Sequence, residues 1–386
     1  MKRVYLDHNA TAPLRPEARA AMVSAMDVVG NPSSVHAEGR AAKALVERAR
    51  AEIAVLVDAG DADVIFTSGA TEAAALALAP YAGPEGAGGT GAARAIVASE
   101  IEHDCIRAWA GGRHLLTPGR DGRLDRDALR SMTFPADAAV AVAVQAANSE
   151  TGVLQDVAAF AGALDGRVPR PVLVTDAVQA VGKVPWSFER SRADMALVSA
   201  HKIGGPKGIG ALVVRRGFDI PAMIRGGGQE MGRRSGTENV IGIAGFGAAA
   251  AAAARDLADG TWDRVAELRN VLEKTLEDRA EMTIFVGKES PRLPNTSCLL
   301  TPGWKGETQV MQMDLAGFAI SAGSACSSGK VRASAVLTAM RHSEADAASA
   351  IRVSLGPGTD RDGIEAFAEA WARAHDKHRA RRAGPA

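Results

Sequence analysis

Short apolar runs alternate with helix-length stretches over the first two-thirds of the chain. Val64-Ile65-Phe66 precedes a polar turn, Ser68-Gly69-Ala70-Thr71-Glu72, and then an Ala/Leu-rich helical pattern. Ala95-Ile96-Val97 leads to Glu102-His103, and the run from Ala139 to Val144 leads to Asn148-Ser149-Glu150. Two further runs, Pro171 to Thr175 and Ala196 to Ser199, end close to Asp176 and Lys202, and Gly210 to Val214 follows. This alternation predicts an α/β fold with a mainly parallel central sheet covered by helices. Polar residues just after the strands fall where open sheets place their ligands.

The pattern changes after the Ala-rich stretch Ala248 to Ala254. Helical periodicity from Val265 to Leu276, strand-like runs at Ile284 to Val286 and Thr296 to Leu300, and helices near 335–340 and 363–375 predict a smaller α+β domain. Residues 12–255 are read as the large domain, and 1–11 with 256–386 as the small one. The Pro/Gly-rich segment Pro80 to Gly91 reads as a mobile surface loop.

Composition narrows the class without choosing a function. A chain of 386 residues exceeds one typical core, and 47% hydrophobic with 23% charged residues describes a globular protein. Lys plus Arg and Asp plus Glu both total 45, so nothing points to nucleic acid or a membrane surface. The basic end, His378-Arg379-Ala380-Arg381-Arg382, reads as a solvated tail. No stretch approaches the roughly 20 apolar residues of a membrane span. The N-terminus turns polar too early for a signal peptide. Cys105, Cys298 and Cys326 are widely spaced without CxxC pairs, which argues against a disulfide framework or zinc knuckle and for a reducing cytoplasm.

Lys202 ends an apolar run and precedes Ile203-Gly204-Gly205-Pro206-Lys207-Gly208. A lysine there either snorkels to solvent or is paired, neutral or covalently used. With Asp176 closing the preceding strand, the pair suits pyridoxal phosphate: the amine forms a Schiff base and the carboxylate holds the pyridinium proton. Ser68 to Glu72 either caps a helix or offers free amides, and Thr71 a hydroxyl, to a phosphate. It does not match Walker A, and Lys183, Lys288 and Lys330 lack the required earlier glycine. The run Arg225 to Thr237 fails the dinucleotide spacing at Met231 and reads as a glycine-rich wall with donors for an anion. His103 is either structural or an acid/base group. Cys326 lies among small residues, Ile320 to Gly329, as a reactive thiol on a flexible loop of about 320–332 would. Cys298, beside Leu299 and Leu300, reads as a packing cysteine.

Together with Tyr5-Leu6-Asp7-His8-Asn9-Ala10-Thr11, Asn31-Pro32-Ser33-Ser34-Val35-His36 and Ile351-Arg352-Val353-Ser354-Leu355-Gly356, these motifs run in order along nearly the whole chain. In them the chain resembles the cysteine desulfurases of the NifS/IscS type, class V aminotransferase relatives of PLP fold type I. The resemblance implies a fold-type I PLP-dependent transferase that takes sulfur from L-cysteine, releases L-alanine and loads a persulfide on Cys326. It implies pyridoxal 5'-phosphate on Lys202, Asp176 at the pyridine nitrogen, and Gln179 at the phenolic oxygen. Ala70, Thr71, Ser199 and His201 would hold the phosphate, with Thr237 reaching in from the partner subunit of a homodimer. His103 would stack on the ring and move protons, and Asn9 and Arg352 would bind substrate. Asn148 and Ser149 are carried over as cofactor contacts, although the family has two asparagines there.

The same resemblance implies a sulfur-acceptor or iron–sulfur scaffold protein as partner. The chain lacks the longer acidic-aromatic tail that some relatives use for docking. Competing readings are a selenocysteine lyase or small-amino-acid aminotransferase of the same fold, and a non-catalytic binding partner that keeps the fold.

Overall fold

The computed structural model describes residues 3–82, 94–112, 115–134, 138–280, 282–323 and 333–383. The apolar runs become a seven-stranded sheet in the order Ala62–Thr67, Gly210–Arg215, Met195–Ser199, Val172–Asp176, Ala139–Ala143, Arg94–Ser99, Leu115–Leu116. The last five are parallel to one another. Gly210–Arg215 is antiparallel to both strands that flank it. Two reversals restore the direction, so Ala62–Thr67 ends at the same edge as Met195–Ser199. The turn at Ser68 and the segment leading to Lys202 therefore emerge side by side.

Side chains along each strand alternate between two cores. Val64, Phe66, Val142, Ala196 and Val198 face one; Ile65, Ala141, Ala143, Met195 and Leu197 face the other. Covering on both faces explains why these strands read as unbroken apolar runs. On the first face, Pro16–Met26 and Ala37–Leu56 pack against Val240–Ala258. A Cβ on Gly247 would lie 2.6 Å from Ala49 Cα, so glycine permits this close helix approach. Val240–Ala258 is long and apolar enough to cross a membrane, which corrects the expectation that no stretch approaches that length. Here it buries Ile243, Phe246, Ala249, Ala250 and Ala253 in the core.

A second, four-stranded antiparallel sheet joins Ser321–Ala322, Ala350–Ser354, Thr296–Leu300 and Ile284–Phe285. Leu299, Ile351 and Val353 pack under Thr261–Arg279 and Arg361–Ala383, whereas Cys298, Leu300 and Ala350 face a smaller cluster. The last helix continues well past the expected end, because after Gly363 in its first turn no Gly or Pro occurs until Gly384-Pro385. The N-terminal strand Val4–Tyr5 pairs with Phe318–Ala319, and Leu6 is fully buried in this second core. The chain thus starts in one core and crosses to the other near Asn9. Of the expected Pro80 to Gly91 loop, the described part includes a short 3-10 turn, Ala79–Tyr81; the rest lies outside the described residues.

Away from the ligand edge, Asp194 ties the starts of Val172–Asp176 and Met195–Ser199 to the end of Gly210–Arg215. Its carboxylate is fully buried and accepts from the Leu173 amide at 2.7 Å and from Arg170 at 2.8 Å, and it also pairs with Arg215. Asp194→Ala would leave that amide and both guanidinium groups without their acceptor. The loss should be about 3 kcal/mol, read as a lower urea midpoint with an unchanged m-value.

Candidate active site

The ends of the parallel strands open into a cleft of about 550 Å³ between the two cores. Its walls come from the Ser68–Thr71 turn, His103 after Arg94–Ser99, Ser149 beyond Ala139–Ala143, Asp176 and Gln179, the Ser199–Lys202 segment, and Arg352 from the second sheet.

One end is built for an anion. The helix Ala70–Leu78 begins here, and its first amides have no intrahelical acceptor. The Ser68 amide is already taken by Glu72 Oε2 at 2.7 Å. Burial works against ionisation of Glu72, but hydrogen bonds from Arg234 and Ser68 hold it below the usual carboxylate range. Ala70 and Thr71 amides remain directed by the helix dipole toward the cleft mouth. A Cβ on Gly210 would sit 2.8 Å from Gly69 Cα and 2.7 Å from Val198 O, so only glycine lets this turn press onto the sheet edge beside Ser199. His201 Nδ1 meets Thr11 Oγ1 at 3.2 Å. Burial, then the charges of Lys202, Lys207 and Lys183, lower its pKa to about 4, so the ring is neutral at neutral pH.

The floor carries Lys202 and Asp176. Lys202 Nζ donates to Asn9 O at 2.6 Å and Ala10 O at 2.8 Å. Asp176 Oδ1 accepts from the Val178 amide at 2.9 Å. Burial raises the Asp176 pKa, against the opposing effects of that amide, His103 and Lys202. Beside it, Glu102 accepts from Ser99 Oγ at 2.7 Å and the Gln145 amide at 2.8 Å through Oε1, while its buried Oε2 has no partner among the described residues. Burial, reinforced by the charge of Asp176, pushes Glu102 up to about 8. His103 Nδ1 accepts the Cys105 amide at 3.2 Å, which leaves the proton of the neutral ring on Nε2.

At the other end Arg352 is buried, paired with Asp7 Oδ1 at 2.7 Å and donating to Ser149 O at 3.1 Å. Its buried Nε has no partner among the described residues. Asn9 is spent inside the protein: Nδ2 donates to Ser149 O and Thr296 Oγ1, and Oδ1 accepts from Lys183 and Asn295. All four hydrogen-bonding valences of that amide are used, so its side chain has none left for substrate. Gln179 Nε2 donates to Asn9 O at 3.0 Å while its Oε1 accepts from Lys183.

The structure thus brings Ala70, Thr71, His103, Ser149, Asp176, Gln179, Ser199, His201, Lys202 and Arg352 to one cleft. Asn148 is an exception among the expected cofactor contacts. It is buried behind the cleft, where Oδ1 caps the amides of Glu150 and Thr151 and Nδ2 donates to Ile101 O. Thr237 is exposed and does not line the cleft of its own chain. None of the residues from Arg225 to Thr237 lines the cleft of this chain. Glu230 ties that segment to Arg50 and to the Phe66 amide at 2.9 Å, away from the cleft. Cys326 lies outside the described residues. Cys298 is buried as a packing residue, with burial raising its thiol pKa. Sequence reasoning missed Thr11, Lys183 and Lys207. Gly182-Lys183, on the turns after Asp176, is the one local signal that could have flagged Lys183.

These donors suit pyridoxal phosphate. The helix amides, Ser199 and Lys207 match a phosphate, the half-buried Asp176 carboxylate a protonated ring nitrogen, Gln179 a ring oxygen, and Lys202 an aldehyde. The orphaned Arg352 Nε supplies an unused donor beside them.

Comparison with known proteins agrees. The family model for aminotransferase class-V matches residues 4–367. A cysteine desulfurase of Cereibacter sphaeroides is 40% identical, covering 96% of this chain and 95% of that one. The cysteine desulfurase IscS of Dictyoglomus turgidum is 34% identical over 94% of this chain and 92% of its own. The X-ray structure of a NifS-like protein from Rickettsia africae ESF-5 superposes with a TM-score of 0.86 at 33% identity, covering 97% and 99% of the two chains. With its strand-end lysine and aspartate in one cleft and this match along almost its whole length, the chain belongs to the class-V aminotransferase family.

Proposed function

We propose that the protein is a pyridoxal-phosphate-dependent cysteine desulfurase. The observation that carries this is the meeting of Lys202 and Asp176, from adjacent parallel strands, in a cleft that also holds a helix N-terminus and a buried arginine. Bound there, pyridoxal phosphate supplies an electron sink conjugated to the α-carbon of an amino acid. The protein residues do the rest. Ala70, Thr71, Ser199 and His201 hold the phosphate, and Asp176 holds the ring-nitrogen proton. Arg352 receives the substrate carboxylate, which a planar guanidinium with an unused Nε suits.

Lys202 Nζ, kept in place by two main-chain carbonyls, takes and returns the Cα proton. His103 Nε2 is placed to give or accept a second proton at the cleft mouth. Cys326, as thiolate, bonds to the sulfur of L-cysteine as the substrate's C–S bond breaks. The net reaction converts one enzyme thiol and one cysteine to one enzyme persulfide and one L-alanine, with atoms and protons balanced. The persulfide then passes to an acceptor thiol or an iron–sulfur scaffold protein. Thr237, exposed and outside the cleft of its own chain, would serve the cleft of a second copy in a homodimer.

Two measurements test this reading. Lys202→Ala should lose the visible absorption that wild type gains with pyridoxal phosphate. Cys326→Ala should keep that absorption but lose alanine and persulfide formation from cysteine by at least about 10³-fold. Turnover of cysteine unchanged in Cys326→Ala would move the assignment to an aminotransferase. Turnover confined to selenocysteine would move it to a selenocysteine lyase.

Glu102 adds a pH signature. Its pKa is about 8 in the fold against an ordinary 4.5, so the fold binds the proton more tightly than the unfolded chain. Its contribution is complete below about pH 4.5 and fades as pH rises toward 8, at up to about 1.4 kcal/mol per pH unit. In the cofactor-free protein, Glu102→Gln should flatten the fall in urea-unfolding free energy between those limits. An unchanged slope would show that Glu102 ionises in the fold as it does in water.

A further inference from the structure

Lys183 is an outlier in this fold. It is 2% exposed, and among the described residues no carboxylate lies within ion-pair distance of it. Its amine meets two amide oxygens, Asn9 Oδ1 at 3.0 Å and Gln179 Oε1. Successive turns, Val181 N to Ala177 O and Lys183 N to Ala180 O, place Gln179 and Lys183 on one face. Gly182 between them has φ +73°, and a Cβ there would lie 2.9 Å from Ile203 Cγ2, so the turn that sends Lys183 inward needs glycine.

An amide can present either end to a neighbour, and the neighbour decides which. The N–H bonds of Lys183 oblige Gln179 to face it with the acceptor Oε1. Nε2 must then lie on the other side. One of its hydrogens goes to Asn9 O at 3.0 Å, and the second is left for the cleft that Gln179 lines. Reversal would set Oε1 against the Asn9 carbonyl and Nε2 against the Lys183 amine, so these two neighbours fix the amide together, and loss of Lys183 leaves it held from one side only.

We propose that Lys183 is a positioning residue that, together with the Asn9 carbonyl, holds the Gln179 amide with its N–H toward the cleft, and so sets the hydrogen bond the bound pyridoxal ring would receive at its phenolic oxygen. This rests on the cofactor assignment above and deepens it. The ionisable groups coupled to Lys183 are Lys202 and Arg352, whose charges with burial lower its own pKa, and His8 and His201, whose pKa values it helps lower.

The test is a pH titration of the visible absorption of the reconstituted holoenzyme, because that absorption reports protonation of the bound chromophore independently of turnover. A donor to the ring oxygen favours its anionic form. Lys183→Met should therefore raise the apparent chromophore pKa by about one unit, and Gln179→Leu should do the same. The double variant should shift no further than Gln179→Leu alone, since Lys183 acts through Gln179. If Lys183→Met does not fold, Lys183→Gln takes its place in the same titration. A Lys183 variant that binds the cofactor and titrates like wild type overturns the proposal, as do additive shifts. So does a Gln179→Leu variant with an unchanged titration, whatever the Lys183 variants do. Wild-type protein that develops no visible absorption would instead defeat the cofactor assignment.

Discussion

The side-chain amide of Asn9 holds the site together. It is 1% exposed, and its partners come from both sheets and from the turns after Asp176. Ser149 belongs to the large sheet's edge, Thr296 and Asn295 to the second sheet, and Lys183 to the turns after Asp176. Its main-chain carbonyl takes Lys202 and Gln179 as well. A buried amide that loses one such partner leaves a polar atom dry, at a cost of about 1–3 kcal/mol. The two cores are thereby set in one relative position, and the site residues that each contributes are held at hydrogen-bonding distances.

Charge in the cleft is unbalanced in a way that anticipates its ligand. At the phosphate end, burial and neighbouring cations depress His201 to about 4; behind the cleft, burial and nearby cations lower His8 to about 4 and shift Lys183 down as well. At the Asp176 end, burial lifts Asp176 and Glu102. At each end, burial works against the charge that the residues there would carry. A ligand bearing phosphate at one end and a protonated ring nitrogen at the other relieves both at once. Strained ionisation of this kind is expected where a fold is organised around a charged cofactor rather than around its own salt bridges.

Local patterning made much of the fold legible. Strands covered on both faces read as plain apolar runs, and a sheet edge collects whatever follows them; hence Lys202, Asp176, His103 and the Ser68 to Thr71 turn could be singled out. The antiparallel course of Gly210–Arg215 was not legible, because a strand covered on both faces looks the same in either direction. Val240–Ala258 was undervalued as an apolar stretch for a related reason. Its alanines and glycines carry little hydrophobic weight each, yet they permit the close packing seen at Gly247 and Ala49.

By itself the sequence determined which chemical groups the protein owns and which of them stand at strand ends, since those follow from periodicity, glycine placement and residue type within short windows. The tertiary structure alone decided what each group has left to offer. Asn9 and Asn148 look like free amides in the sequence, but contacts formed on folding consume them, Asn9 with Asn295 at a separation of 286 residues. Lys183 looks like a surface lysine until Gly182 turns it inward onto Gln179. Hydrogen-bonding capacity is shared among residues that meet only after folding, and no short window of sequence records how it is divided.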